Sequence, residues 1–260
     1  MSGSFYPSDP GRLSQMIGEM IEEAGRFDLE GEVIGIVAPH AGYVYSGPIA
    51  SISYRQILES GINRFLVVGP NHEGYPWKST TTGAEPWETP LGKCSIDVGM
   101  LEHFSGLVME EPLAGRSEHS IEVQLPFLQT IRKSGFTFLP VFMGDQGMEV
   151  AREIGKAAYQ MGSDFLFIAS SDLTHYERED VARNMDTRII EKIVDLDIGS
   201  YYEFLAMERA SACGYGAIAS LMEYTVLRGG RIVKLVYGTS AETSGDYNHV
   251  VGYPSLVSIV

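Results

Sequence analysis

Three apolar stretches of this 260-residue chain each run into a polar turn that holds a histidine. Val33–Ala38 leads through Pro39 to His40, and Phe65–Val68 leads through Gly69-Pro70-Asn71 to His72. Phe165–Ile168 leads through Ala169-Ser170-Ser171-Asp172-Leu173-Thr174 to His175. Short runs rich in Val, Ile and Phe, bounded by Gly, Pro or Ser, read as strands buried on both faces. Such strands belong in a central, mostly parallel or mixed sheet covered by helices, so the fold class expected is an α/β/α sandwich. Ligands of open α/β sheets bind beyond the carboxyl ends of the strands. Half of the six histidines therefore fall where an α/β protein keeps its chemistry, which points to a metal or acid–base site.

A chain of this length with 44% hydrophobic residues can bury a large core. No internal repeat or Pro/Ser-rich linker divides it, so one domain over 1–260 is expected. The opening Met1–Pro7 lacks a basic n-region and an apolar h-region, so no secretory leader is expected. No apolar run approaches the roughly 20 residues that span a bilayer. Cys94 and Cys213 do not make a disulfide framework, and a reducing cytoplasm is the default setting. A formal net charge of -15 argues against nucleic acid as a partner, because phosphate binding rests on Lys and Arg.

Asp9 can cap a first helix opened by Pro10, with Leu13, Met16, Ile17, Met20 and Ile21 on one apolar stripe. A second helix is predicted to open at Pro48 and to end near Gly61. The polar segment 71–92 is long for a plain connection, so it reads as functional or as an unrecognised hairpin. Asp97 is predicted to cap a short helix through Phe104. A further helix is predicted over 118–133, bent at Pro126. A strand at 136–142 and a helix at 149–161 precede the third histidine-bearing strand. Helices at about 178–194, 200–208 and 214–227 follow, then strands at 232–237 and 255–260.

His40 and His72 both follow a proline at a strand end, and they could share one metal if their strands are neighbours. Either alone reads more blandly, as a strand cap bonding a carbonyl; the repetition favours a site. Asp172 precedes His175 by three residues, a range at which a carboxylate can orient an imidazole; a backbone cap explains it equally. Cys213 lies just ahead of a predicted helix, where the dipole should help its thiol ionise, and Gly214 beside it permits close approach to a ligand. The bland alternative is a small buried hydrophobe. His119 and Glu122 begin the helix at 118 and could be outer partners or substrate contacts, whereas a solvated, dipole-favoured first turn explains Glu118 and Glu122 as well. His103 and Cys94 read as structural, and His249 has no assignable place. P-loop, dinucleotide, HExxH and G-x-S-x-G signatures are missing.

Taken in order, Ala38-Pro39-His40-Ala41-Gly42-Tyr43, Gly69-Pro70-Asn71-His72, Glu118-His119-Ser120-Ile121-Glu122, Ser170-Ser171-Asp172 with His175, and Cys213-Gly214 resemble the Memo family. The opening Gly3-Ser4-Phe5-Tyr6 resembles that family's start, so the likeness covers nearly the whole chain. The family is similar in fold to the LigB-type class III extradiol dioxygenases and is also called the B component of the AmmeMemoRadiSam system. The resemblance implies His40, His72 and Cys213 as metal ligands, with His175 in the acid–base position. It also implies association with radical-SAM and AMMECR-type proteins. Where the dioxygenases hold Fe(II) with two histidines and a glutamate, Cys213 would be the third ligand here. A thiolate softens the site, so Fe(II) is expected, with copper and zinc also credible.

The function expected first is a metal-dependent redox or oxygen-using enzyme acting on an unidentified small molecule, with His175 moving protons and Asp172 orienting an imidazole. Metal-assisted hydrolysis with His175 as base is a second expectation. A non-catalytic adaptor binding a peptide in the same cleft is a third, and a metal-free Cys213–His nucleophile a fourth.

Overall fold

The architecture comes from a computed structural model that describes residues 1–74, 77–133 and 135–260; Tyr75 and Pro76, in the segment 71–92, lie outside the described residues. The first part of the chain forms α1 (Pro10–Glu23), β1 (Val33–Ala38), α2 (Tyr43–Ile57), β2 (Arg64–Pro70), β3 (Ser79–Thr81), β4 (Trp87–Thr89), β5 (Gly92–Ile96) and α3 (Val98–Leu101). The middle forms β6 (Met109–Glu110), α4 (His119–Glu122), α5 (Leu125–Ile131), β7 (Thr137–Met143), α6 (Met148–Gln160), β8 (Leu166–Ser170) and β9 (His175–Glu177). The last part forms α7 (Glu179–Val194), α8 (Ile198–Glu208), α9 (Tyr215–Leu227), β10 (Arg231–Thr239), α10 (Ala241–Ser244) and β11 (Val250–Ile259).

The main sheet runs β10-β11-β1-β8-β2-β7-β3-β6. Its centre, β1-β8-β2-β7, is parallel, while β11 and β3 flank it antiparallel. The three histidine-bearing strands are therefore central and point the same way. Their apolar runs feed both faces, as the sequence predicts. Leu66, Val68, Phe167 and Ala169 pack into one core with α6, α8 and α9, while Phe65, Val67, Leu166 and Ile168 pack into the other with α1, α2 and α5. This is a mixed α/β/α sandwich, and no helix among the described residues is long and apolar enough to cross a membrane.

Three local expectations are corrected, and the hairpin reading of 71–92 is met. α2 begins at Tyr43, five residues before Pro48, because tertiary contacts hold its first turn: Tyr43 is buried, its N–H donates to the Phe5 carbonyl, and its hydroxyl bonds the Val123 carbonyl. The carbonyl that Pro48 cannot bond belongs to Val44, which is 61% exposed and can bond water instead. The helix predicted over 118–133 is two helices. Pro126 has no N–H to continue α4, and the chain breaks at Val123-Gln124. The segment 71–92 carries β3 and the first arm of the β4–β5 hairpin, with Trp87 opposite Cys94. His175 opens a short strand, β9, that pairs with the longer-than-expected β11.

Asp9 caps α1 by accepting from the Arg12 N–H at 2.8 Å. Replacing it with Ala is expected to lower stability by about 1 kcal/mol, measured by urea unfolding; an unchanged midpoint would show that the cap contributes nothing here.

Candidate metal centre

His40 and His72 do not come from neighbouring strands. β8 lies between β1 and β2, so the two strand ends stand roughly 10 Å apart. Their side chains lean together over the small Ser170-Ser171 end of β8. Cys213 arrives from the loop between α8 and α9. One donor atom each from His40, His72 and Cys213 lies within 4.8 Å of the others, a group that could hold a metal ion. His40 Nε2 is 3.0 Å from Cys213 Sγ. His40 is buried, whereas the His72 side chain keeps 36% of its surface, so the cluster opens to solvent past His72.

Hydrogen bonds fix which nitrogen of each ring is bare. The Ser170 hydroxyl donates its one proton to the Ser120 carbonyl at 2.6 Å, so it can only accept from His40 Nδ1 at 2.9 Å. His40 therefore carries its proton on Nδ1 and turns a bare Nε2 toward the sulfur. Gln124 secures this arrangement. Its carbonyl accepts from Tyr54, so its NH2 must donate to Ser170 and to the Pro39 carbonyl. His72 Nδ1 faces the Glu118 carboxylate at 2.9 Å, which in the neutral ring again leaves Nε2 bare. His175 Nδ1 faces only carbonyls, Leu173 at 2.7 Å and Ser211 at 3.0 Å, so its Nε2 is bare as well. Imidazole ligands typically donate their second N–H in this way. The donor set fits a soft or borderline divalent ion.

Electrostatics separate the donors. Burial lowers the His40 pKa well below the usual imidazole value, helped by neighbouring His119 and His72, so His40 is neutral. At His72 burial opposes charge, but the hydrogen bond and charge of Glu118 outweigh it and the pKa is raised. Glu118 is lowered in return: burial opposes its charge, and His72 with the Ser120 N–H overcomes it. Cys213 corrects an expectation. Burial raises its thiol well above the ordinary value, and the nearby Asp172 charge adds to this, so the helix dipole does not make it a ready thiolate. The neutral thiol beside the bare His40 Nε2 holds the proton that an ion would displace.

Of the two readings of Asp172, the hydrogen bonds favour the backbone cap. Its carboxylate accepts from the backbone N–H of His40 at 2.8 Å and so caps the 40–41 turn instead of orienting an imidazole. Burial raises it to about 6, opposed by that hydrogen bond and by His175 and His72. His175 thus lies close enough to act electrostatically on both Asp172 and His40. His119 stacks between His72 (4.7 Å between centroids) and Phe5 (4.6 Å), walling one side of the cluster. Glu122 accepts from the Tyr6 hydroxyl and is neither solvated nor a donor to the cluster. His103 belongs to the turn after α3, and His249 is an exposed partner of Asp246; neither joins the cluster.

Sequence reasoning missed Glu118 and Gln124 and understated Gly214. Glu118 is only 1% exposed, not a solvated first-turn acid, and it bonds His72 through both ring and backbone. Its signal was a glutamate at an N-cap, where Ser, Thr, Asp or Asn is usual. Gln124 was a polar residue on the apolar stripe of Ile121, Leu125 and Leu128. Gly214 was noted for permitting close approach, yet the structure makes it obligatory. A Cβ there would stand 2.3 Å from the Ser170 carbonyl oxygen. Gly214→Ala is expected to cost about 1–3 kcal/mol and to push Cys213 off the end of β8; urea unfolding and metal content measure both. Glu118→Gln is expected to weaken metal affinity by about 10–100-fold, read by competition with a chromophoric chelator; unchanged affinity would remove Glu118 from the centre.

The family described as Memo-like protein matches residues 1–257. The chain belongs to the Memo family. A MEMO1 family protein of Thermoplasma acidophilum, Ta0237, is 43% identical over 265 residues, covering 100% of this chain and 97% of that protein. A MEMO1 family protein of Methanosarcina barkeri is 38% identical, covering 99% and 97%. Among solved structures, an uncharacterized protein of Escherichia coli K12, JW3007, superposes with a TM-score of 0.57 at 11% identity. The match covers 88% of this chain and 100% of that one. At that identity it speaks to fold alone, and the fold of this Memo-family chain is consistent with a Memo/LigB-like architecture.

Proposed function

We propose that this Memo-family chain is a mononuclear metal enzyme of the redox type, holding Fe(II) through His40, His72 and Cys213 and moving protons with His175. The observation that carries the reading is the meeting of one ring nitrogen each from His40 and His72 with the Cys213 sulfur, all within 4.8 Å at one end of the sheet. When bound, a redox-active ion supplies one-electron chemistry to a small-molecule substrate and dioxygen; copper and zinc satisfy the same donors. The chain's own residues do the rest. Ser170 and Glu118 hold the ligand tautomers, and Cys213 gives up its proton on loading. His175 Nε2 accepts a proton from substrate and can return it. Phe5 and His119 wall the mouth, and His72 leaves it open to substrate.

Protein purified without oxygen is expected to hold about one ion per chain and, loaded with Fe(II), to take up oxygen when a reactive substrate is supplied. Folded protein that never binds metal would sink the proposal. Metal-assisted hydrolysis is the second reading. It is favoured by the fixed His175 tautomer, whose bare Nε2 suits a base for water. Zinc-loaded protein turning over an ester or amide panel while the Fe(II) form takes up no oxygen would put it first. Association with radical-SAM and AMMECR-type proteins belongs beside this reading as a further proposal, tested by co-purification.

A further inference from the structure

We propose that Asp186 is a positioning residue for His175, clamping the 173–175 turn through Thr174 and so fixing where the imidazole presents its bare nitrogen. The inference rests on the reading of His175 as the proton-handling group, but its observations lie outside the metal ligands. Asp186 projects from α7 and has no exposed surface. Its carboxylate accepts from the Thr174 N–H at 3.1 Å, from the Thr174 hydroxyl at 2.6 Å and from the Tyr237 hydroxyl at 2.6 Å. A buried carboxylate is costly, and an apolar side chain is often at least as stable in such a place. Here two of the carboxylate's three hydrogen bonds go to Thr174, on the turn that carries His175, and the third ties it to Tyr237 on β10.

The turn is bound from the other side as well. The Leu173 N–H donates to the Gly252 carbonyl at 2.8 Å, and the Gly252 N–H donates to the Thr174 carbonyl at 2.9 Å. Position 252 has been shaped around the clamp, since a Cβ there would stand 1.9 Å from Asp186 Oδ2. The His175 N–H donates to the Ser211 hydroxyl at 2.8 Å, and Nδ1 donates to the Leu173 and Ser211 carbonyls. Immediately after the clamp, Tyr176 adopts φ 59° and is 73% exposed. A bulky residue seldom takes that conformation unaided. It persists when the surroundings over-determine it, and the hydrogen bonds around 173–175 do so. Thr174 is thus tied to α7 and β11 at once, and His175 inherits its position from that attachment.

The test uses nitrogen NMR of the full chain, metal-free and zinc-loaded, at a pH where His175 is neutral. In the wild type the His175 ring is expected wholly in the Nδ1–H form. Asp186→Asn places an amide NH2 against donors and is expected to release the turn. The ring should then shift toward the Nε2–H form favoured by free imidazole, and the Thr174 and His175 amides should exchange at least about tenfold faster. Zinc content should stay unchanged. Thr174→Ser, which keeps both hydrogen bonds, should behave as wild type. If Asp186→Asn does not fold, Thr174→Val removes the hydroxyl while keeping the shape and carries the same expectation. A folded variant whose His175 remains wholly Nδ1–H overturns the positioning role, even if its Tm falls. Failure of the metal reading looks different: wild type would bind no zinc while its His175 signals behaved as described.

Discussion

Loading the metal-free protein with zinc or Fe(II) at neutral pH is expected to release at least one proton per ion. The direction follows from the three donors. The His40 pKa is depressed by burial, so its Nε2 is already bare and releases nothing. The Cys213 thiol is raised by burial, so it is protonated in the empty site and must ionise to bind. The thiol proton alone makes affinity rise about tenfold per pH unit. His72 is raised by Glu118, so on the acid side of its titration a second proton must leave and the dependence steepens. Calorimetry in buffers of different ionisation enthalpy counts these protons directly. Cys213→Ala and Cys213→Ser should remove the thiol's proton from the release and weaken binding by more than the roughly 10–100-fold typical of losing an outer hydrogen-bond partner. Stability follows the same linkage. Metal at a thousandfold excess over its dissociation constant adds about 4 kcal/mol, which in a chain of this size raises Tm by about 8–16 °C. The Cys213 variants should show almost none of that rise. Binding independent of pH, or an equal Tm rise in Cys213→Ala, would remove the sulfur from the ligand set.

The sheet was legible because burial on both faces leaves a mark that any short window reveals. Runs such as Phe65–Val68 have no polar alternation and are bounded by Gly, Pro or Ser, although β2 itself continues through Gly69 and Pro70. The same punctuation made His40, His72 and His175 legible as strand-end groups. Their order in space was not legible, since β8, far along the chain, inserts between β1 and β2. Local propensity also misplaced the start of α2, where a buried Tyr43 outweighs the signal of Pro48. Cys213 shows a competition that position alone could not decide: a helix N-terminus favours the thiolate, but desolvation opposes it more strongly. Glu118, Gln124 and Asp186 escaped because each serves a partner at least 12 positions away. A polar residue inside an apolar stripe announces that it has a partner without saying which.

Replacing His175 with Ala is expected to cut turnover by about 10²–10⁴-fold while metal content and proton release stay as in wild type. The separation is built into the topology. His40, His72 and Cys213 follow β1, β2 and α8, whereas His175 begins β9 on a turn held by Ser211, Gly252 and α7. Removing its ring leaves the hydrogen bonds of Ser170, Gln124 and Glu118 to the ligands untouched. Its effect should therefore appear in the rate of the chemical step. His175→Gln offers a finer comparison. It keeps a polar side chain of similar reach but cannot take up a proton, so a proton-transfer role predicts that it is as slow as Ala. The measurement is single-turnover oxygen uptake in the Fe(II)-loaded protein, or ester hydrolysis in the zinc form. Full activity in His175→Gln would reduce His175 to a hydrogen-bond donor, and loss of metal in His175→Ala would place it among the ligands.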